Sequence, residues 1–137
     1  MDKEYVEKIK NKINSFGWIK VEVFRIDNDE TKCGCCLIGA IYAVEKDIND
    51  LSEICDETGI PNNEQEIYEF VEDNFGTDET IQYLIGNEEP PFVLEGGPIW
   101  SINDSCKTKE ELFEKLDEAV KWTELIGKQY MNLLYLR

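Results

Sequence analysis

One segment of ten residues, 35–44, is apolar almost throughout and constrains the fold more than any other part of the chain. It reads Cys-Cys-Leu-Ile-Gly-Ala-Ile-Tyr-Ala-Val. Its length and alanine content favour a buried helix over a strand, although periodicity alone does not separate the two. Gly39 and Ala40 would let another backbone approach closely, because glycine otherwise costs a helix about 1 kcal/mol relative to alanine. We therefore predict that this segment is the core helix.

Amphipathic patterns on both sides of this segment predict further helices. Apolar residues recur every three or four positions in segments 2–16, 63–76 and 108–125. Weaker patterns predict short helices at 48–55 and 77–85. The apolar residues of the last long helix, including Leu112, Leu116 and Leu125, are expected to lie on one face.

Capping residues indicate where three of these helices begin. Asn63 precedes Glu66 by three residues, and Thr108 precedes Glu111 by three, which is the spacing of a capping box. Thr77 is placed to cap the short helix that follows it. Gly17 is placed to close the first helix.

The remaining segments have the composition of strands, turns and loops. β-branched and aromatic residues predict a strand at 18–26, and residues 30–33 predict a second strand across an Asx-rich turn. Residues 87–98 are typical of an ordered loop. Segment 98–102 is predicted to be extended, and 127–137 to be a last helix or strand.

These predictions define a fold class. We expect one domain spanning residues 1–137, because a chain of this length can bury a single core without disulfides or metal. Its class is α+β and mostly α-helical, with about five helices around the buried Cys-Leu-Ile-Gly-Ala helix and a small β-hairpin.

The charge of the chain is confined to its middle. Residues 47–106 contain sixteen acidic and no basic side chains, whereas the flanks carry fourteen of each, so the net charge of −16 belongs to the middle. A surface of one sign attracts basic partners and repels nucleic acid. Solubility alone is the simpler interpretation. The alternative is an acidic, partner-binding face on the helix after Asn63, formed by Glu64, Glu66, Glu69, Glu72 and Asp73.

The cysteines and the absence of histidine limit the chemistry. Without histidine, the chain lacks Ser-His-Asp and Cys-His nucleophiles and His-ligated metals. A Cys-x-x-Cys pair, Cys33 and Cys36, would be redox active only in a suitable structural setting. A zinc site could draw on Cys33, Cys35 or Cys36, Cys55 and Cys106, but only one pair is closely spaced. We therefore predict that the thiols are buried and that the protein binds no metal and no cofactor. A binding protein is expected more than an enzyme.

The ends and the hydropathy of the chain give its expected location. The first residues lack the basic and apolar regions of a secretory signal, and no run approaches the roughly eighteen apolar residues of a membrane span. We predict a cytoplasmic protein that does not contact membrane.

Two separated blocks of the chain resemble a known family. The first is Gly17-Trp18 followed by Cys36-Leu37-Ile38-Gly39-Ala40, and the second is Asn103-Asp104 followed by Thr108, Glu111 and Leu112. The pair resembles a family of small bacterial and phage proteins of unknown function, which carries a Cys-Leu-x-Gly-Ala helix and Trp-Asn-Asp before a Thr-capped helix. Here Ile102 replaces that tryptophan, and Trp100 would share its face if the segment were extended. The resemblance implies a small, mostly helical domain and no particular activity.

Three functions remain open at this point. The favoured hypothesis is a non-enzymatic phage or mobile-element inhibitor or regulator, acting as a nucleic-acid mimic that engages a basic protein surface. The second is a small-molecule, nucleotide-like binding domain with a pocket framed by Trp18, Trp100, Asn103 and Asp104. Asn103 and Asp104 have a simpler interpretation as residues that shape a turn. The third is a thiol redox protein.

Overall fold

The computed structural model describes residues 1–86 and 98–135, with side chains up to residue 127. Among these residues it contains six α-helices and a two-stranded antiparallel sheet, so the predicted α+β, mostly helical class is confirmed. The elements are α1 (Lys3–Phe16), β1 (Phe24–Arg25), β2 (Gly34–Cys35), α2 (Leu37–Lys46), α3 (Glu64–Phe75), α4 (Glu79–Gly86), α5 (Pro98–Ser105) and α6 (Lys109–Tyr135). The loop predicted at 87–98 lies outside the described residues except for Pro98.

Helix α2 is the centre of the fold, as predicted from its apolar sequence. Six of its residues are buried: Leu37, Ile38, Gly39, Ala40, Ile41 and Ala43. Helices α1, α3 and α5 all pack against it, while α4 packs against α6. The close approach predicted at Gly39 is confirmed, because the backbone of Val23 lies directly against its Cα.

The hairpin is shorter than predicted, because side chains of α5 form hydrogen bonds with backbone groups that the longer strand would have used. Phe24 pairs with Cys35 and Arg25 with Gly34. Between Trp18 and Phe24 the chain bends, and Val21 adopts a φ of 72°, which is rare for a β-branched residue. Asn103 donates to the carbonyl of Ile19 (3.1 Å), and Asp104 accepts from the N–H of Val21 (3.3 Å). The prediction of one strand over 18–26 is therefore wrong for its first part.

Several short elements differ from their predicted form because Asx side chains cap them. Residues 30–33, predicted as a strand, contain a 3₁₀ turn whose N–H at Thr31 is bound by Asp29 (3.0 Å). The helix predicted at 48–55 is reduced to a 3₁₀ turn, Leu51–Glu53, capped by Asp50. Helix α4 is capped by Asp78, which accepts from the N–H of Thr80 (2.9 Å), and not by Thr77.

The long helices begin close to their predicted positions. Helix α3 begins after Asn63, but the side chain of Asn63 makes no capping bond, so that capping box is wrong. Helix α6 begins at a formed cap, since Thr108 accepts from the N–H of Glu111 (3.1 Å) and Glu111 accepts from that of Lys107 (2.8 Å).

Two predictions about the C-terminal third are wrong. Segment 98–102 is not extended but opens α5, where Pro98 occupies the first turn and its missing N–H costs nothing. Trp100 and Ile102 therefore point to different sides of a helix. Residues 127–135, predicted to belong to a last helix or strand, instead continue α6 to Tyr135 without a break, and on the apolar face of α6 Leu112 and Leu116 are buried whereas Leu125 is 48% exposed.

Candidate functional site

The outer side of α3 carries three of the five predicted partner-binding acids. Ile67 and Val71 bury the opposite side of the helix in the core. Glu66, Glu69 and Asp73 are exposed, and their spacing of three and four residues places them one helical turn apart on the same surface. We call these three residues the acidic face.

The other two predicted acids are turned away from this surface. Glu64 is half-buried at the start of α3. Glu72 is half-buried towards α5. The pKa of its carboxyl is raised, because burial, the largest effect, and the nearby Asp73 together outweigh a hydrogen bond from the backbone of Ile99. Its Oε1 is buried without a hydrogen-bond partner among the described residues. Glu72 therefore belongs to the packing between α3 and α5.

Exposed carboxylates continue before and after the acidic face. They are Asp47, Asp50, Glu53, Asp56, Glu57 and Glu79. Hydrogen bonds from the backbone of Ser52 and from the side chain of Thr58 lower the pKa values of Asp50 and Asp56, respectively. These two groups are therefore fully ionised at neutral pH.

The exposed acids of the middle segment lack basic partners. Within the described part of the chain, none of the nine forms an ion pair, whereas Lys10, Arg25 and Lys115 pair only with acids of the flanks. One cation does reach α3, where the Nζ of Lys46 lies 4.5 Å from the ring centroid of Phe70. These nine carboxylates are thus displayed on the surface without an ion-paired cation, whereas the partly buried Asp78 pairs with the N-terminal ammonium (2.7 Å).

The four residues proposed to frame a ligand pocket do not act as one group. Hydrogen bonds join Trp18, Asn103 and Asp104: the indole of Trp18 donates to Asn103 Oδ1 (2.7 Å), and the amide of Asn103 donates to Asp104 Oδ1 (3.0 Å). Trp100 instead packs against Tyr68 of α3, with ring centroids 6.4 Å apart.

Asn103 is fully buried and uses its whole amide inside the protein. Oδ1 accepts from Trp18 and from the N–H of Leu37 at the start of α2 (3.0 Å), and Nδ2 donates to Ile19 and Asp104. No hydrogen-bonding group of this side chain is left for a ligand. Its role in the structure is to tie α5 to the bend before β1 and to α2.

The bend that Asn103 holds borders a concavity that the sequence analysis missed. It has a volume of about 290 Å³ and is lined in part by Trp18, Lys20, Arg25 and Lys32. The sequence contained a signal for this concavity. Three basic residues lie within thirteen positions, close to a tryptophan, in a strongly acidic chain.

Burial favours the protonated thiol at three of the five cysteines. Cys35 and Cys36 are buried, which raises the pKa of both thiols, that of Cys36 to about 12. Burial also raises the pKa of Cys55 to about 11. The Sγ of Cys33 donates to the carbonyl of Asp27 (2.9 Å). Since the thiolate is the nucleophile, Cys36 is unsuited to disulfide exchange.

These pKa values predict slow alkylation. At pH 8 only about one Cys36 thiol in ten thousand is ionised. We expect iodoacetamide to modify at most Cys33 and Cys55 in the native protein, and all five cysteines in denaturant. Intact-mass measurement and peptide mapping would count the modified sites. Rapid modification of Cys36 at pH 8 would contradict the buried, protonated state.

The described residues contain no cluster of three or more Cys, Asp or Glu side chains arranged to hold a metal ion. None of their helices has the length and apolar character required to span a membrane.

Comparison with known proteins gives no relative from which a function could be transferred. No protein-family model, no curated protein and no solved structure matches the chain significantly. The class defined by the structure is a mostly helical α+β domain built around an apolar central helix.

Proposed function

We propose that the protein is a non-enzymatic interaction protein whose acidic face binds a basic surface on another protein. The observation that carries the proposal is that the nine exposed carboxylates from Asp47 to Glu79 form no ion pair with any residue that the structure describes. A surface whose charge is already neutralised gains little from a cationic partner. Here the charge is available, and it adds both attraction and a faster encounter.

The arrangement of the acidic face supports a nucleic-acid-like ligand surface. Glu66, Glu69 and Asp73 are fixed on one rigid helix, about 5–6 Å from one neighbour to the next. A row of carboxylates at this spacing can occupy a groove whose Lys and Arg side chains otherwise bind phosphates. An inhibitor or regulator of a nucleic-acid-binding protein, of the kind that phages and mobile elements carry, is the function that best fits such a surface.

The test is a charge-reversal comparison. In the first variant Glu66, Glu69 and Asp73 are all replaced by Lys; in the control Glu30, Glu114 and Glu124, exposed acids outside the middle segment, are replaced in the same way. Both variants change the net charge equally. We expect capture of basic proteins from a bacterial lysate to fall by about tenfold or more for the first variant and little for the control.

The salt dependence gives a second readout of the same experiment. Because the Debye length shrinks from about 8 Å at physiological ionic strength to about 3 Å at 1 M, binding through the acidic face should weaken steeply with added salt. Quantitative mass spectrometry at several salt concentrations would measure this. Equal capture by the two variants, or capture that does not depend on salt, would exclude the proposal.

A further inference from the structure

Three basic side chains, Lys20, Arg25 and Lys32, line the concavity beside Trp18. Its charged lining consists of Lys20, Arg25, Lys32 and Glu22, so positive charge exceeds negative in a protein of net charge −16. Its volume of about 290 Å³ lies at the lower end of the range for small-molecule sites. An anion of small size is the ligand that such a lining would recognise.

Two of the three cations are available for a ligand. Neither Lys20 nor Lys32 forms an ion pair within the part of the chain that is described. The Nζ of Lys20 lies 5.5 Å from the ring centroid of Trp18. Arg25, by contrast, is held by Glu22 (2.8 Å) and Asp27 (2.7 Å). An anionic group can therefore bind the two lysines without breaking an existing ion pair.

Glu22 adds a requirement for a hydrogen-bond donor. Its Oε1 accepts from Arg25, but its Oε2 is buried and accepts from no donor among the described residues. A buried carboxylate oxygen without a donor is unfavourable. Glu22 lines the concavity, so a turn of its carboxylate on binding would bring Oε2 to an N–H group of the ligand and satisfy it.

The wall of the concavity is held in a strained conformation. Val21 lies in the left-handed region although it is β-branched and 71% exposed. Strain of this kind persists only where neighbouring contacts impose it. Here the contacts come from Asn103 and Asp104, which bind the backbone of Ile19 and Val21. The backbone that carries Lys20 and Glu22 is thus fixed before any ligand arrives.

We propose that this concavity binds a small anion that carries an N–H donor on a planar ring. The anionic group is bound by Lys20 and Lys32, the donor faces Glu22, and the ring lies against Trp18. A nucleoside monophosphate contains all three features, and so does an aromatic amino acid with its carboxylate. The site is separate from the acidic face, and either proposal can fail without the other.

The test measures binding of four probes by calorimetry and by NMR of the Trp18 indole N–H. The probes are adenosine monophosphate, tryptophan, inorganic phosphate and adenosine. A Lys20→Ala, Lys32→Ala double variant is compared with a Lys8→Ala, Lys121→Ala variant, which removes the same charge from exposed positions elsewhere. Circular dichroism checks that both variants are folded.

The expected result is binding of adenosine monophosphate or tryptophan that the first variant weakens by about tenfold or more and the control by less than about twofold. Binding of adenosine monophosphate would show that the anionic group is a phosphate, and binding of tryptophan that it is a carboxylate. Phosphate binding as tightly as adenosine monophosphate would overturn the proposal, because ring and donor would then contribute nothing. Equal losses in the two variants, or no binding of any probe at about 5 mM, would overturn it as well.

Discussion

Replacing Gly39 by alanine is expected to destabilise the protein by about 3 kcal/mol or more. A Cβ at this position would overlap the carbonyl oxygen of Val23 and lie 3.0 Å from the Cβ of Cys35. The obstacle is backbone, so no side chain can rotate away from it. Val23 also cannot retreat freely, because its carbonyl accepts the N–H of Cys36 (3.1 Å), immediately before α2. The central helix and the hairpin would have to separate.

Gly127→Ala is the matched control for this prediction. Gly127 also lies inside a helix, but a Cβ there would meet no described atom within 4 Å. The change should stabilise the protein by up to about 1 kcal/mol, because alanine restricts the unfolded chain and favours helix. Urea denaturation followed by circular dichroism measures both variants. A loss below about 1 kcal/mol for Gly39→Ala would mean that Val23 does not approach as closely as the structure indicates.

The parts of the fold that the sequence predicted are those governed by local rules. Helix α2 was predicted from an unbroken apolar run, and the start of α6 from Thr108 and Glu111, whose contacts span three residues. Such signals are contained in a short window of sequence and do not depend on distant partners.

The errors arose where distant contacts overrode local preference. Residues 18–23 have strand composition, but Asn103 and Asp104, more than eighty positions away, bind the backbone groups that a longer strand would have used. The error at 98–102 is of a different kind, because a proline is favoured in a first helical turn and Pro98 was therefore a local signal for the start of a helix. Only the first of these errors needed tertiary information to correct.

The candidate sites divide in the same way. The acidic face could be predicted because the acidic residues are visible in the sequence, and the helical period shows which of them lie on the same side of α3. That Glu72 turns inward could not, because the reason is the position of Ile99 at the start of α5. The basic concavity depends on a bend that brings Lys20, Arg25 and Lys32 to one cavity, and no periodicity encodes that bend.

The second large effect is expected for Asn103→Ala, which should cost about 3 kcal/mol. The substitution leaves the indole N–H of Trp18, the N–H of Leu37 and the carbonyl of Ile19 without the partner they have now. Asn103 is fully buried, so water cannot replace the amide without a cavity large enough to hold it. Each unsatisfied buried group costs about 1–3 kcal/mol.

A control variant and a double-mutant cycle distinguish the loss of the Asn103 hydrogen bonds from the effect that any replacement of asparagine by alanine would have on stability. Asn74→Ala removes one exposed hydrogen bond, from Nδ2 to the carbonyl of Phe70 (2.8 Å), and should change stability by less than about 0.5 kcal/mol. Trp18→Phe removes the indole donor to Asn103 together with part of the ring that packs against the core. If the network acts as one unit, the double variant should be more stable than the sum of the single losses predicts, by about 1 kcal/mol, because the same bond is lost in both. Additive losses would show that Asn103 stabilises the fold through its other partners alone, and that Trp18 is held by packing.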